Sequence, residues 1–368
     1  MKELKALTGL RAVAAIWVLF FHSSFGSLPF IPGVVASILT AGFAAVSLFF
    51  VLSGFILTYN YFPMEPSPQP HKRSGRYAIA RFARIAPVYF LGFVLGAITE
   101  GQLLDPANNP LPPLWLNVLT FFGLQNWTFA HDWINYPSWS VSCEIFFYAT
   151  LPFLLHALNR MKPNAAPILL LLSGIAATTV GVLGAYTAHG SNPEFAVRYL
   201  PLLRWPEFVT GVFLGYIYKL GRTPKFIESH GDVVAIFGTL FAAAVIVVFR
   251  EPAIFLHSGG LTIPFAIVIV GLAEARGPIY RLLANPIALA LGEASYSLYV
   301  LQFPAKYLAG EMWTHFAGEA AKPNWFRGVT FFGIIVFSVL VNKLFENPAR
   351  RAILKLARSR SAPAASPA

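Results

Sequence analysis

Two ionisable side chains lie inside the first apolar segment of the chain, and their types and spacing fit acid–base chemistry. Arg11 and His22 are eleven positions apart. At 3.6 residues per turn this is close to three full turns, so both side chains project from one helix face, roughly 16 Å apart along the axis. Since imidazole titrates near neutral pH, His22 is a candidate general base. A packing role for His22 and headgroup contact for Arg11 are the alternatives.

Two more arginines begin a later apolar segment. Arg81 and Arg84 are three positions apart, and such residues are neighbours on one helix face. Two guanidinium groups side by side can bind phosphate oxygens in bidentate fashion. The alternative is a plain basic anchor at the cytoplasmic end of a transmembrane helix.

A carboxylate interrupts another apolar run. Glu144 follows the sequence Pro-Ser-Trp-Ser-Val-Ser-Cys, and an ionisable group at that depth should face the bundle interior and have a partner. An ion pair with a structural arginine is the simpler interpretation. A second outer pair, Arg204 and Glu207, has helical i,i+3 spacing, and we expect these two side chains to neutralise each other.

Composition predicts a chain surrounded by a lipid bilayer. Of 368 residues, 56% are hydrophobic and 12% charged, and the mean hydropathy is +0.61; a soluble domain of this length needs more charge on its surface. The net charge of +11 resides between apolar runs, which indicates membrane topology and no nucleic-acid partner. The single cysteine, Cys143, and histidines without metal-ligand spacing predict no metal.

The apolar segments predict an all-α integral membrane bundle of about ten transmembrane helices. The stretch 114–127 is too short to span and is predicted to be re-entrant. Ten crossings with both termini cytoplasmic place most Lys and Arg residues inside, whereas an eleventh crossing through 114–127 would invert every later loop. We predict a membrane domain over 1–348 and a basic, disordered cytoplasmic tail over 349–368. The predicted spans are 9–27, 40–62, 82–99, 138–158, 165–187, 200–219, 232–250, 254–273, 287–309 and 327–346.

Several short motifs, taken together and in this order, resemble the acyltransferase 3 family of bacterial membrane acyltransferases. They cover almost the whole chain. One position departs from the family pattern, because Gln302 stands where members often carry a histidine. The matching stretches are 7–14 with the Arg11-x10-His22 pair, 49–55, Arg81-x-x-Arg84, 138–144, 206–211, 292–299 and 346–348.

The resemblance implies a multi-pass enzyme of the bacterial inner membrane, in a stand-alone form without an esterase-like domain. It implies transfer of an acetyl or other short acyl group from acyl-CoA, most simply acetyl-CoA. The implied acceptor is a hydroxyl of a sugar, in a surface polysaccharide, a lipid-linked saccharide or a similar carbohydrate or glycolipid. The physical alternative is a multi-helix exporter of a glycolipid or small molecule, although no pair of broken helices at matching positions supports it.

Residues and resemblance combine into one mechanistic hypothesis. Arg81 and Arg84 bind the phosphates of CoA. Arg11 either binds phosphate or stabilises the first predicted helix against the third. His22 removes the proton of the acceptor hydroxyl, and Glu144 orients the imidazole as the third member of a triad does. An acyl-histidine intermediate remains open as the alternative to direct transfer.

Overall fold

All regular secondary structure in the described part of the chain is helical. The structure, a computed structural model, describes residues 3–23, 31–63, 70–99, 112–130, 134–187, 192–250, 253–318 and 322–359, and these contain no strand. This confirms the predicted all-α fold. The α-helices are α1 Lys5–His22, α2 Gly33–Thr40, α3 Ala45–Tyr61, α4 Pro70–Thr99, α5 Leu114–Phe121, α6 Ser138–Arg160, α7 Ala166–Ala185, α8 Asn192–Tyr199, α9 Pro201–Lys219, α10 Lys225–Ser229, α11 Gly231–Val248, α12 Ala253–His257, α13 Thr262–Glu274, α14 Pro278–Leu283, α15 Pro286–Glu293, α16 Ser295–Ala317, α17 Asn324–Val341 and α18 Asn347–Ser359.

Eight helical stretches in the described ranges are long and apolar enough to cross a bilayer. Eight of the ten predicted spans are therefore confirmed as long and apolar enough, whereas the count of ten is not confirmed. The two remaining predicted spans, 200–219 and 287–309, coincide with α9 and with α15 plus the first part of α16, which fall outside that set. The eight stretches are Lys5–His22, Gly33–Tyr61, Gly75–Thr99, Ser138–Arg160, Pro163–Ala185, Gly231–Val248, Ala253–Glu274 and Asn324–Ser359.

The segment 114–127 is too short to cross, as predicted. Its helix α5 has eight residues and gives way to a turn at Gly123, where a φ of +68° favours glycine. Two buried amides that follow the turn anchor the segment to the start of α6. Gln125 donates from Nε2 to the carbonyl of Ser138 at 3.1 Å, and Asn126 donates from Nδ2 to the carbonyl of Trp139 at 2.7 Å.

Glycines allow the central helices to approach closely. A Cβ atom on Gly54 of α3 would overlap the carbonyl of Phe208 in α9, and a Cβ on Gly211 of α9 would overlap the carbonyl of Val51 in α3. Gly292 of α15 has the same relation to the backbone of α1. Small residues at crossings let helix backbones touch inside a membrane, where apolar lipid provides no hydrophobic drive for association.

Loops that were predicted to lie on the same side meet at one end of the bundle. Arg222, after α9, donates from Nη1 to the side-chain oxygen of Asn164, before α7, at 2.7 Å. At the start of α11, the carboxylate of Asp232 accepts hydrogen bonds from the backbone N–H groups of Arg276 and Gly277 at 3.0 and 2.8 Å. These contacts agree with the alternation of basic loops used to predict the topology.

The prediction of a disordered tail is wrong for residues 349–359. A π-helical turn, Asn342–Glu346, continues α17 into α18. Helix α18 has no buried residue, but it is amphipathic and packs along α4. The tail was misassigned because its charge conceals an apolar repeat of helical period, which includes the half-buried Ile353 and Leu354. Residues 360–368 lie outside the described residues.

Candidate functional site

Four of the predicted charged side chains line one cavity inside the bundle. Arg11, Arg81, Arg84 and Glu144 surround a volume of about 130 Å³. A second cavity of about 50 Å³ shares Arg11 and Glu144 and continues along α16 as far as Tyr299. The two cavities share Arg11 and Glu144 and together form a path, partly lined by charged groups, from Arg81 and Arg84 into the middle of the bundle.

Arg84 has a buried acidic partner that sequence reasoning missed. Its Nη1 atom forms an ion pair with Oε1 of Glu346, whose side chain is 0% exposed. Oε2 of Glu346 accepts from Ser297 Oγ at 2.6 Å and from Asn342 Nδ2 at 2.9 Å. Both carboxylate oxygens are therefore paired, as a buried charge requires. The partner lies in the π-turn, a distortion that occurs frequently at functional sites.

Arg81 is held by aromatic rings. Its Cζ atom lies 5.5, 6.0 and 5.7 Å from the ring centroids of Tyr61, Tyr77 and Tyr148. Nη2 donates to the Tyr61 hydroxyl at 3.2 Å, whereas Nε is buried and makes no hydrogen bond within the described residues. Cation–π contacts orient the guanidinium without using its donors. Arg81 therefore presents a fixed positive charge beside the cavity.

Glu144 belongs to the arginine cluster and not to His22. Its Oε2 atom accepts from the Tyr148 hydroxyl at 3.3 Å, and the nearby cations that act on it are Arg84, Arg11 and Arg81. The predicted role of Glu144 in orienting the imidazole is therefore wrong. The sequence could not reveal this, because a lone carboxylate in an apolar run has several cationic partners within reach of the fold.

Gln302 is the residue that orients His22. Its Oε1 atom lies 3.0 Å from Nδ1 of His22, and its Nε2 donates to the carbonyl of Tyr299 at 2.8 Å. The Tyr299 carbonyl accepts only, so it fixes which end of the Gln302 amide faces the ring. An amide oxygen cannot donate, so Nδ1 carries the proton and Nε2 of His22 has the free lone pair. The imidazole is thus in the tautomer that can accept a proton at Nε2.

Arg11 and His22 both face α16, which confirms the prediction that they share a face of α1. Arg11 lines the cavity beside Ser295 and Tyr299, whereas His22 meets α16 at Gln302. The backbone carbonyl of His22 accepts from Nζ of Lys306 at 2.8 Å. A cation at that position also interacts favourably with the carboxyl end of α1. The two helices therefore run side by side in the same direction.

The predicted pairing of Arg204 and Glu207 is also confirmed. Arg204 Nε lies 3.2 Å from Glu207 Oε1, and both side chains are buried. Arg204 donates further to Ser47 Oγ at 3.1 Å and to the backbone carbonyl of His257. This cluster joins α9 to α3 and α12 and does not line either cavity of the arginine path. It stabilises the bundle behind the site.

The family profile described as "Acyltransferase domain", acyltransferase 3, matches residues 4–343. The chain belongs to the acyltransferase 3 family. This membership, together with relatives named as O-acetyltransferases, makes the chain an O-acyltransferase and decides against the exporter alternative. No solved structure matches the chain significantly.

Three relatives illustrate the range of the acyltransferase 3 family. The acyltransferase MdmB of Streptomyces mycarofaciens is 29% identical over 95% of this chain and 92% of its own length. A putative O-acetyltransferase of Staphylococcus aureus is 23% identical over 98% of this chain and 59% of its own. The peptidoglycan O-acetyltransferase OatA of Listeria monocytogenes is 23% identical over 95% of this chain and 56% of its own. The chain thus spans little more than half of the last two.

Two residues that the structure places at the site, Glu346 and Gln302, were given no chemical role by the sequence. Glu346 opens the family motif 346–348, and Gln302 stands three positions after the family motif 292–299. The signal that could have found both residues is a hydrogen-bonding or charged side chain inside an apolar run, the same criterion that singled out Glu144.

Proposed function

We propose that this O-acyltransferase takes an acetyl or other short acyl group from acyl-CoA and transfers it to a hydroxyl of a sugar-containing acceptor. The observation that carries the proposal is the arginine-lined path, which begins at Arg81 and Arg84 and ends at Tyr299, one turn from the Gln302 that holds His22. The relative OatA is named for O-acetylation of peptidoglycan, which supports a carbohydrate acceptor.

Charge along the path favours an anionic donor. Three guanidinium groups, those of Arg11, Arg81 and Arg84, face two carboxylates, those of Glu144 and Glu346. The cluster therefore keeps a net positive charge in a site of low dielectric, where an added phosphate gains more than in water. Coenzyme A supplies phosphates at one end and a long thioester arm at the other.

His22 acts as the general base in this proposal. Its Nε2 takes the proton of the acceptor hydroxyl while the hydroxyl oxygen attacks the thioester carbonyl carbon. A C–O bond forms, the C–S bond breaks, and the departing thiolate recovers the proton from the imidazolium. The alternative order, in which Nε2 itself attacks and an acyl-histidine forms, uses the same tautomer. Glu144 acts here as a positioning residue that holds the arginine cluster together.

The location of the reaction follows from the predicted topology. We place both termini and the start of α4 on the cytoplasmic side of the bacterial inner membrane, because the basic loops gather at that end. Donor then enters from the cytoplasm, where acyl-CoA is made. His22, at the opposite end of α1 from Lys5, lies toward the side where surface saccharides are assembled.

Thiol release tests the enzyme directly. Purified protein in nanodiscs is supplied with acetyl-CoA and a crude extract of membrane and surface glycans, and free CoA is measured. We expect release that depends on both donor and acceptor. Mass spectrometry of surface glycans from cells with and without the gene then identifies the acylated species. The absence of acceptor-dependent thiol release with every extract tried would overturn the proposal.

A further inference from the structure

A basic, open cup lies where the π-turn meets α18. Its volume is about 520 Å³, and it is lined by Lys343, Asn347, Arg350, Arg351 and Leu354. Within the described ranges, no carboxylate pairs with any of its three cations. Among the described residues, the one hydrogen bond made by these cationic side chains runs from Arg351 Nε to the backbone carbonyl of Asn347 at 3.3 Å. The cup therefore concentrates positive charge, and the carboxylate that acts on it electrostatically, that of Glu346, is already paired with Arg84.

The cup adjoins the arginine path. Arg350 is four positions after Glu346, so the two side chains lie on neighbouring turns of one helix face. Arg350 is also close enough to Arg84 and Arg81 to interact with them electrostatically. Because α18 packs along α4, the cup lies near the guanidinium groups of Arg81 and Arg84, although its lining residues all belong to the helix of the π-turn and α18.

We propose that this cup binds the phosphorylated nucleotide end of the acyl-CoA donor. The inference rests on the proposed donor and adds the place where its nucleotide is held. The volume falls within the range of about 300–1,000 Å³ that is usual for small-molecule sites. Lys343, Arg350 and Arg351 face the phosphates of the nucleotide, and guanidinium forks bind phosphate oxygens in pairs. The pantetheine arm then passes Arg81 and Arg84 into the bundle.

An anionic lipid headgroup offers similar phosphate chemistry, but the position of the charges favours a free nucleotide. Arg350 is half-buried and lies near Arg84 and Arg81 of the path, whereas Lys355 and Arg358 of the same helix are exposed and line none of the cup. Lys355 and Arg358 therefore provide matched control positions with the same charge and the same helix.

The test compares two donors in two variants. Arg350→Gln with Arg351→Gln should raise the KM for acetyl-CoA by about tenfold or more, because charge-assisted contacts are lost. The KM for S-acetyl-pantetheine, which has no nucleotide, should not change. Lys355→Gln with Arg358→Gln should leave both values at the wild-type level. If the double arginine variant does not fold, Lys343→Gln, at an exposed position, is measured in its place.

The possible results separate this inference from the function on which it rests. If wild-type protein shows no acceptor-dependent release from acetyl-CoA, the proposed function itself fails. If the wild type is active and the cup variants keep a wild-type KM for acetyl-CoA, the cup is not the nucleotide site. If the KM difference appears in nanodiscs that contain anionic phosphatidylglycerol but not in those of phosphatidylcholine alone, the cup binds a lipid headgroup and the proposal is overturned.

Discussion

The Nδ1 atom of His22 lies 3.0 Å from Oε1 of Gln302, on a helix 280 positions away in the chain. Gln302 is itself 1% exposed and is fixed by its bond to the Tyr299 carbonyl. The proton-accepting side of the imidazole is therefore set by α16 and not by the helix that carries the histidine. A neutral amide does what a carboxylate does in many triads: it selects the tautomer and the ring orientation.

Replacing His22 tests the general base. His22→Asn keeps a hydrogen-bonding side chain near Gln302 but removes the group that titrates, and base catalysis contributes about two to four orders of magnitude. We expect the rate of acyl transfer to fall at least about a hundredfold, with membrane insertion and acetyl-CoA binding retained. His315→Asn, at an exposed position on α16, should remain active. Wild-type turnover in His22→Asn at normal expression would remove His22 from the mechanism.

Gln302 is predicted to act by positioning. Gln302→Met has a similar shape but no acceptor for Nδ1, so the ring is free to choose the unproductive tautomer. We expect kcat to fall by about tenfold or more, with the KM for acetyl-CoA unchanged. Gln302→His should recover much of the loss, since a second imidazole can accept from His22 and donate to Tyr299. A merely structural role would give equal losses in both variants and a lower thermal stability.

Variants of Arg84 test whether the arginine end of the path binds the donor. Arg84→Lys keeps the positive charge for Glu346 but loses the planar fork, so the KM for acetyl-CoA should rise while the protein stays folded. Arg81→Ala combined with Arg84→Ala should abolish saturable donor binding. Steady-state kinetics and acetyl-CoA binding in nanodiscs measure both effects. Unchanged donor affinity in the double variant would reduce the pair to a topological anchor.

Glu346 is predicted to stabilise the fold by neutralising the charge of Arg84. Glu346→Gln removes the counter-charge of a largely buried guanidinium, whose side chain is 17% exposed, and breaking a buried pair costs up to about 3–5 kcal/mol. We expect a large fall in the thermal unfolding temperature of the purified protein. Adding Arg84→Gln should restore part of it, because the uncompensated charge is then gone. Strictly additive losses in the two single variants and the double variant would show that the residues do not interact.

The topology can be tested with a single cysteine on each side. In a Cys143→Ala background, cysteines at Arg222 and Ser359 should react with a membrane-impermeant reagent only after the cells are opened. A cysteine at Asn192 should react in intact cells. The same accessibility for Arg222 and Asn192 would refute the predicted ten crossings.

The sequence predicted the helices well, but it did not predict how they pair. Apolar length and period are local properties, so α1, α6 and α11 could be recognised from consecutive residues. The crossing of α3 with α9 depends on Gly54 and Gly211 meeting backbone to backbone, and no local pattern states which glycine faces which helix. Helix α16 was harder to delimit, because Lys306 and Glu311 interrupt its apolar run.

In the candidate site, too, single residues could be predicted from the sequence but the pairs that they form could not. Arg81, Arg84, Arg11 and Glu144 were predicted individually, because a charge in an apolar run is conspicuous, and the structure brings them to one cavity. Their partners were not predictable, since Glu346 lies 262 positions from Arg84. The assignment of Glu144 to the imidazole failed for this reason. A local rule identifies costly charges, whereas the fold decides which of them neutralise one another.

The π-turn at Asn342–Glu346 sets the angular phase between a lipid-facing helix and an amphipathic one. A regular α-helix advances by about 100° per residue, so loss of one residue within the turn would rotate α18 by that angle relative to α17. The carboxylate of Glu346 would no longer contact Arg84, and the cup's cations on α18, Arg350 and Arg351, would face a different part of the protein. Natural insertions and deletions in this stretch should therefore be far rarer than substitutions on the lipid-facing surface of α17.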